Sequence, residues 1–361
     1  MKSRKIKIKK SGIILLILLI LAILLYKPVS SIIKLKIKGY SISSSYKIYK
    51  EGIKDETLDN NYSKILDSII DTKEYDKKYL ENYFEINYIK RDNYLKEIAN
   101  MLKLGYTSND INKIYEINNE EIIKKVNEKY IADILKYLNY DFFKVDKLDR
   151  YLTFFNGDYK DTIIKVNIGL DKDYYQDPEI IKEYSIEMLV NKYNKLDSNL
   201  EPKEITELTK CSEKGHYLSK DAKLAYDELC DASLKDGMSL GVTSSYRSYE
   251  SQKNIYDSYL KTNGQDYVNK YVATPGYSEH QTGLALDVKS TKSSPFKYTK
   301  EYKWMQENAY KYGFILRYPE GLEEITGYNA ESWHYRYVGK EIANYIHENN
   351  ITYDEYCAIF M

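Results

Sequence analysis

Apolar positions along this chain follow one period before residue 150 and another after it. At the front, residues 13–26 form an uncharged apolar run. From residue 58 to about 140 the spacing is helical. Ile65, Ile69 and Ile70 fall on one face, and Leu95, Ile98, Ala99 and Leu102 on another. Ile122, Ile123 and Val126 continue the pattern, followed by Ile131, Ile134, Leu135 and Leu138. Gly105 sits where a helix C-cap is wanted, and residues 107–110 offer N-caps to the next helix. The pattern predicts a small helical bundle over 58–160, a stretch with no His and no Cys. No clear internal repeat stands out in it.

After Tyr151 the period shifts. Alternation predicts strands at 162–168 and 187–192, an amphipathic helix at 221–234 with Ser219 as N-cap, and a strand at 239–244. Ser248 caps a helix running to about Leu260. Strands follow at 284–288, 314–318 and 333–338, with helices at 300–312, stopped by Gly313, and at 340–349. Helices and strands mix without strict alternation, which predicts an α+β fold with an antiparallel sheet rather than a doubly wound one. The boundary between the two regions is expected between residues 157 and 173, with the second domain covering 171–361.

The first 38 residues change the picture. They hold 10 Lys or Arg and no acid, which leaves 44 basic against 54 acidic residues in the rest. No basic stripe of the kind that binds nucleic acid remains outside this segment. Lys2, Arg4, Lys5, Lys7, Lys9 and Lys10 precede the apolar run. That run alone, as a helix, reaches about 21 Å, short of the ~30 Å hydrocarbon core. Residues 11–33 are long enough if Lys27 snorkels to the far interface. The expectation is an uncleaved signal-anchor over 1–38, with the basic tip cytoplasmic and the rest exported. A cleaved signal peptide is the alternative, but no small-x-small cleavage site follows the run. Residues 39–57, polar and unpatterned, are expected to be a stalk. Of three cysteines, none form a C-x-x-C pair, so no thiolate zinc site is expected. An exported chain permits a Cys211–Cys230 disulfide, but free, partly buried thiols are expected.

Candidate chemistry gathers in two stretches. SEHQTGLALDV, 278–288, places His280 seven residues ahead of Asp287 with Gly283 between them. ESWHYRYVG, 331–339, supplies Glu331 and His334. The chain has four histidines, and two of them fall here. Two imidazoles, one carboxylate and a spare carboxylate make a three-ligand zinc site with a separate general base, since a catalytic zinc leaves its fourth position to water. Glu331, expected in the turn entering the strand, would take a proton from that water and pass it to the leaving amine. Arg247 stands between a strand and a helix in a chain with 48 Lys and 6 Arg. Arginine here suits a planar, two-pronged contact with a carboxylate or oxyanion. Arg317 and Arg336 are expected in buried structural ion pairs. Gln252 and Ser278 are candidates for substrate hydrogen bonds; the plainer alternatives are a helix-surface amide and a loop hydroxyl. Trp333 is expected to pack the site wall. His216 and His347, in polar context, are expected at the surface.

SSYRSYESQ, ATPGYSEHQTGLALDV, KWMQENAYKYGFILRYPEG with TGY, and ESWHYRYVG together resemble the VanY-like D-alanyl-D-alanine carboxypeptidases of the M15 peptidase family. The resemblance covers about Tyr184 to the C-terminus and leaves 40–170 outside it. Many relatives have Pro where this chain has Ser332, a change that touches no ligand. The resemblance implies a Hedgehog/DD-peptidase-like domain. It implies zinc on His280, Asp287 and His334, Glu331 as base, and Arg247 facing the substrate or the tetrahedral oxyanion. The implied substrate is the D-Ala-D-Ala end of peptidoglycan stem peptides, cut outside the membrane by a monomeric zinc peptidase. Alternatives are an L,D-carboxypeptidase or endopeptidase on the same scaffold, and a non-catalytic zinc-bearing wall-binding module, against which the intact Glu331 argues.

Overall fold

The structure is a computed structural model that describes residues 10–361. Lys2, Arg4, Lys5, Lys7 and Lys9 of the basic cluster lie outside the described residues. Helix α1, Lys10–Lys38, holds the apolar run and has Pro28 within it. Its segment Ile13–Lys38 is long and apolar enough to cross a membrane, or to serve as a signal sequence. Contacts divide the chain into two compact units, one ending at Asn139 and the other Tyr140–Met361.

Residues 39–57, read above as an unpatterned stalk, contain helices Ile42–Lys50 and Lys54–Asp59, with Ser41 capping the first. Buried Ile48 and Ile53 fix them. From these helices onward the chain repeats itself, which the apolar spacing alone did not reveal. Helices Ile42–Lys50, Lys54–Asp59 and Lys64–Ile69, the 3₁₀ turn Lys77–Tyr79, and helices Leu80–Glu85 and Tyr94–Leu104 form one series. Ser108–Ile117, Glu120–Glu128, Ile134–Leu138, the 3₁₀ turn Val145–Lys147, Leu148–Phe154 and Tyr159–Ile168 form a second in the same order. The details agree. Gly39 and Gly105 each follow a helix at φ 118° and 108°. The next residue in each case is a buried tyrosine, Tyr40 or Tyr106. The Tyr40 hydroxyl accepts from Ser63 N at 3.2 Å, and that of Tyr106 from Ile131 N at 2.8 Å. Tyr40 meets Tyr62, and Tyr106 meets Tyr130, both at 5.0 Å between ring centroids. Later in each series, Tyr83 OH accepts from Asp76 N and Tyr151 OH from Lys144 N, both at 3.2 Å. Buried N–H groups must find a partner, and tyrosines at matching places supply it.

The strand expected at 162–168 is a helix, Tyr159–Ile168. Asp158 caps it by accepting from Asp161 N, and Gly169 ends it at φ 108°. Thr162, Val166 and Ile163 are buried, so the apparent alternation was one helical face read at period two.

The second unit holds a four-stranded antiparallel sheet. Its strands are β1 (Leu240–Ser244), β2 (Ala285–Ser290), β3 (Phe314–Leu316) and β4 (His334–Tyr337). Their spatial order is β1-β2-β4-β3. Helix α2, Lys220–Lys235, covers the sheet with Ala222, Tyr226 and Leu229 against Leu240, Val242, Leu286, Val288, Phe314 and Tyr335. Helix α3, Tyr249–Asn263, follows β1, capped by Ser248 as expected. Helix α4, Lys340–Asn349, and helix α5, Tyr353–Phe360, follow β4. Two short strand pairs, Glu179–Ile181 with Asn194–Leu196 and Ile205–Glu207 with Tyr217–Ser219, stand apart from the sheet.

The strand expected at 187–192 does not form. Its backbone is claimed by side chains instead. Arg336 donates to Ile186 O at 3.0 Å and Met188 O at 2.8 Å, and Arg317 donates to Val190 O at 3.5 Å. Cys211 and Cys230 are joined in a disulfide rather than free, while Cys357 is a buried thiol.

Candidate metal centre and cleft

Strand register brings the chemistry together. Asp287 on β2 is paired with Ser244 of β1 on one side and His334 of β4 on the other. Paired residues in neighbouring strands share a face, so one end of the sheet gathers a carboxylate and an imidazole from segments 47 residues apart in sequence. A bulge between Val242 and Ser244 ends β1 and turns the chain toward Arg247. His280 arrives on a single 3₁₀ turn, Glu279–Thr282, closed by Gly283 at φ 66°. A Cβ on Gly283 would stand 2.9 Å from Ile205 Cδ1 and 3.1 Å from Ser219 N. Glycine is required there both for its left-handed backbone and for space.

Ligand atoms of His280, Asp287 and His334 lie within 4.8 Å of one another, close enough to share one ion. His280 Nε2 is 3.5 Å from Asp287 Oδ2, and His334 Nδ1 is 3.2 Å from Asp287 Oδ1. Despite that approach, Asp287 Oδ1 is buried and makes no hydrogen bond. A buried carboxylate oxygen that no hydrogen bond satisfies is costly, and positive charge beside it, a proton on His334 Nδ1 or a metal ion between the three side chains, would offset that cost. The outer ring nitrogens are already engaged. His280 Nδ1 lies 2.7 Å from Ser245 O, which fixes that nitrogen as the protonated one and leaves Nε2 free for a metal. His334 Nε2 lies 3.2 Å from Glu279 Oε2, leaving Nδ1 for the same ion. Metal-binding histidines typically hold their second nitrogen in this way. Donor set, orphaned oxygen and outer hydrogen bonds all fit a divalent transition metal.

Electrostatics agree with the geometry. Burial works against charge on Asp287, yet the two imidazoles hold its carboxyl far below the usual range. Burial lowers the pKa of His280. Burial also opposes charge on His334, but the Asp287 and Glu279 carboxylates overcome it and lift that ring to about 9. Burial raises Glu331 above the ordinary carboxylate value, with His334 partly opposing.

The ligands sit on the wall of a cleft of about 500 Å³. Arg247, Gln252, Ser278, Trp333 and Glu331 line it too. Glu331 lies just ahead of β4, its backbone N–H on Tyr318 O and its Oε2 3.6 Å from His334 Nδ1. Ser278 is buried at the cleft, and its hydroxyl makes no hydrogen bond among the described residues. Gln252 is also buried, but both ends of its amide are used. Oε1 accepts from Arg247 Nη1 at 2.7 Å, and Nε2 donates to Ala273 O at 2.8 Å. It thus bonds Arg247, whose Nη2 also donates to Ser244 Oγ at 3.1 Å. Trp333 is 43% exposed on the cleft wall. His347 is exposed and stacks on Tyr310, while His216 is half-buried near Ser245.

Three groups of cleft residues were not picked out from the sequence. Tyr259, Tyr267 and Tyr271 line one wall, with Tyr259 and Tyr267 stacked at 5.6 Å. Tyr318 packs on His334 at 4.9 Å and on Tyr328 at 5.0 Å. Glu279 adjoins a proposed ligand in the first motif, the one signal that could have marked it. Arg317 and Arg336, expected in buried ion pairs, both bind Glu279, each at 2.9 Å.

Comparison with known proteins covers this region. The family profile described as "VanY: D-alanyl-D-alanine carboxypeptidase" matches residues 215–340. The Bacillus subtilis (strain 168) protein YodJ is 42% identical over 191 residues, 50% of this chain and 68% of YodJ. The Enterococcus gallinarum bifunctional D-Ala-D-Ala dipeptidase and D-Ala-D-Ala carboxypeptidase VanXYC is 34% identical over 175 residues, 46% of this chain and 91% of that protein. Among solved structures, the LdcB LD-carboxypeptidase is 40% identical, covering 52% of this chain and 94% of its own, with a TM-score of 0.48. The matched span takes in Arg247, both motif stretches and β1 to β4, and with relatives aligned over most of their own length the chain belongs to the VanY family of D-alanyl-D-alanine carboxypeptidases.

Proposed function

We propose that this protein is a zinc-dependent D-alanyl-D-alanine carboxypeptidase that removes the terminal D-Ala from peptidoglycan stem peptides. The observation that carries the reading is the trio His280, Asp287 and His334, with an unpartnered carboxylate oxygen at its centre and Glu331 beside it. Relatives whose names state action on D-Ala-D-Ala support the substrate. The four-stranded antiparallel sheet supports the Hedgehog/DD-peptidase-like fold expected from the motifs.

In this reading His280, Asp287 and His334 hold zinc. The ion, when bound, supplies Lewis acidity and makes water acidic enough to ionise near pH 7. Glu331 receives the proton of the attacking water and delivers it to the amine of the departing D-alanine. Its raised pKa suits a group that must both take and give a proton near neutrality. Arg247, held by Gln252 and Ser244, offers its guanidinium to the substrate carboxylate or the developing oxyanion. Ser278 contributes a hydroxyl to the bound peptide.

Helix α1 anchors the chain in this account, with residues 39–361 on the outer face of the membrane, where peptidoglycan lies. Zinc dependence is tested by D-alanine release from a peptide ending in D-Ala-D-Ala. Release should stop on chelation and return with added zinc. Release unaffected by complete chelation would contradict the metal reading.

A further inference from the structure

The carboxylate of Glu279 is fully buried, and three side chains meet it: Arg317, Arg336 and His334. Arg317 Nε and Arg336 Nη1 both donate to its Oε1 at 2.9 Å. Its second oxygen, Oε2, is left to face His334 Nε2 at 3.2 Å. Arg317 is held in turn by Asp354 of α5, with Nη1 to Oδ2 at 2.6 Å, and Asn191 donates to Asp354 Oδ1 at 2.9 Å. Arg336 is pinned by the carbonyls of Ile186 and Met188. Every element of this network has near-zero side-chain exposure. Two guanidiniums thus fix one oxygen, and geometry aims the other at a single ring nitrogen.

Resting on the metal reading above, we propose that Glu279 is a positioning residue of the metal centre. It takes the Nε2–H of His334, selects that tautomer, and turns Nδ1 toward the ion. A histidine on a strand has two nitrogens on opposite sides of its ring, and either can bind a metal. Here Nδ1 faces Asp287 and Glu331, while Nε2 faces a carboxylate that acts only as an acceptor. His280 is set the opposite way, with Nδ1 on the Ser245 carbonyl and Nε2 toward Asp287. The two ligands should therefore bind the same ion through different nitrogens. A mere structural ion pair would need only the two arginines; nothing in that role requires Oε2 to face a ligand.

The test uses the full chain in detergent micelles, labelled with ¹⁵N-histidine and loaded with zinc. Four histidines make the long-range ¹H–¹⁵N spectrum readable. The expected spectrum shows His280 protonated on Nδ1 and His334 protonated on Nε2. Zinc on Nε2 of His334 would overturn the proposal, whatever the variants do. A spectrum that zinc leaves unchanged would overturn the metal centre, and the proposal with it. Zinc affinity by chelator competition is the second readout. Outer partners of this kind contribute about 10–100-fold to metal affinity, so Glu279→Gln should weaken zinc binding by about that factor. Removing one buried charge can unfold the chain, so the double variant Glu279→Gln/Arg336→Gln, which keeps the buried charge balanced, is measured beside it. It should show the same loss, whereas Arg336→Gln alone should stay within about 3-fold of the parent. Equal losses in Arg336→Gln and Glu279→Gln would mean that the network as a whole, not Glu279, sets affinity, and would overturn the proposal.

Discussion

Asp287 shows at the scale of one residue what the cleft is built to do. Its carboxylate is held ionised in a buried place, between two imidazoles whose far nitrogens are already committed. Because His334 in the metal-free chain is lifted to about 9, zinc must displace a proton to bind it at neutral pH. Calorimetric titration in two buffers of different ionisation enthalpy should find about one proton released per zinc near pH 7. Affinity should rise with pH toward that value; affinity independent of pH would contradict the ligand role of His334. For Arg247, the twin bonds to Gln252 and Ser244 predict that Gln252→Ala acts through the arginine. It should lower kcat/KM without loss of zinc, and add little in the Arg247→Lys background. Additive losses in that double-mutant cycle would show that Gln252 meets substrate directly. The sequence made His280, Asp287, His334, Glu331 and Arg247 legible because each sits in a motif of rare residue types. The direction of the Gln252 amide and the reach of Glu279 were not legible, because they depend on which backbone carbonyls and guanidiniums arrive from distant segments.

Among elements, the turn Glu279–Thr282 and the sheet register deserve separate tests. Gly283→Ala would force a Cβ against Ser219 N in a left-handed conformation. A residue held in such backbone costs about 1–3 kcal/mol, so the variant should be less stable by at least that amount in urea denaturation and weaker in zinc binding. An unchanged midpoint would show that the turn relaxes freely. The helical series makes a parallel prediction. Tyr40→Phe and Tyr106→Phe each strip an acceptor from a backbone N–H, at Ser63 and Ile131. Each should cost about 1–3 kcal/mol by helical circular dichroism, and the two should be similar. The long helices and the four strands of the sheet were readable from apolar period and caps. The repeat was not, because its two halves share spacing and tyrosine hydroxyl contacts more than identity. Residues 162–168 and 187–192 misled for a different reason: short apolar runs carry two periods at once, and caps or arginine donors decided between them.

For the whole molecule, the second unit begins well before the motifs. Arg150 pairs with Asp171, Asn167 donates to Ala358 O at 3.0 Å, and Ile168 packs with Tyr193 and Ala358. A fragment 140–361 should therefore hydrolyse a soluble peptide at the rate of the full chain, and melt above a fragment 171–361. Equal melting of the two fragments would contradict a structural role for helix Tyr159–Ile168 in this unit. The region before residue 140 carried no chemistry in the sequence, and its helices add none of the cleft residues named above. The cleft is proposed above as a peptidase centre with Glu331 as its base. The most direct measurement is mass spectrometry of UDP-MurNAc-pentapeptide after incubation with zinc-loaded protein and with its Glu331→Gln variant. Loss of one alanine residue is expected with the parent. Turnover should be lower by about 10²–10⁴-fold in the variant, with zinc content unchanged. An intact pentapeptide after incubation with the parent, or near-normal turnover in Glu331→Gln, would contradict it.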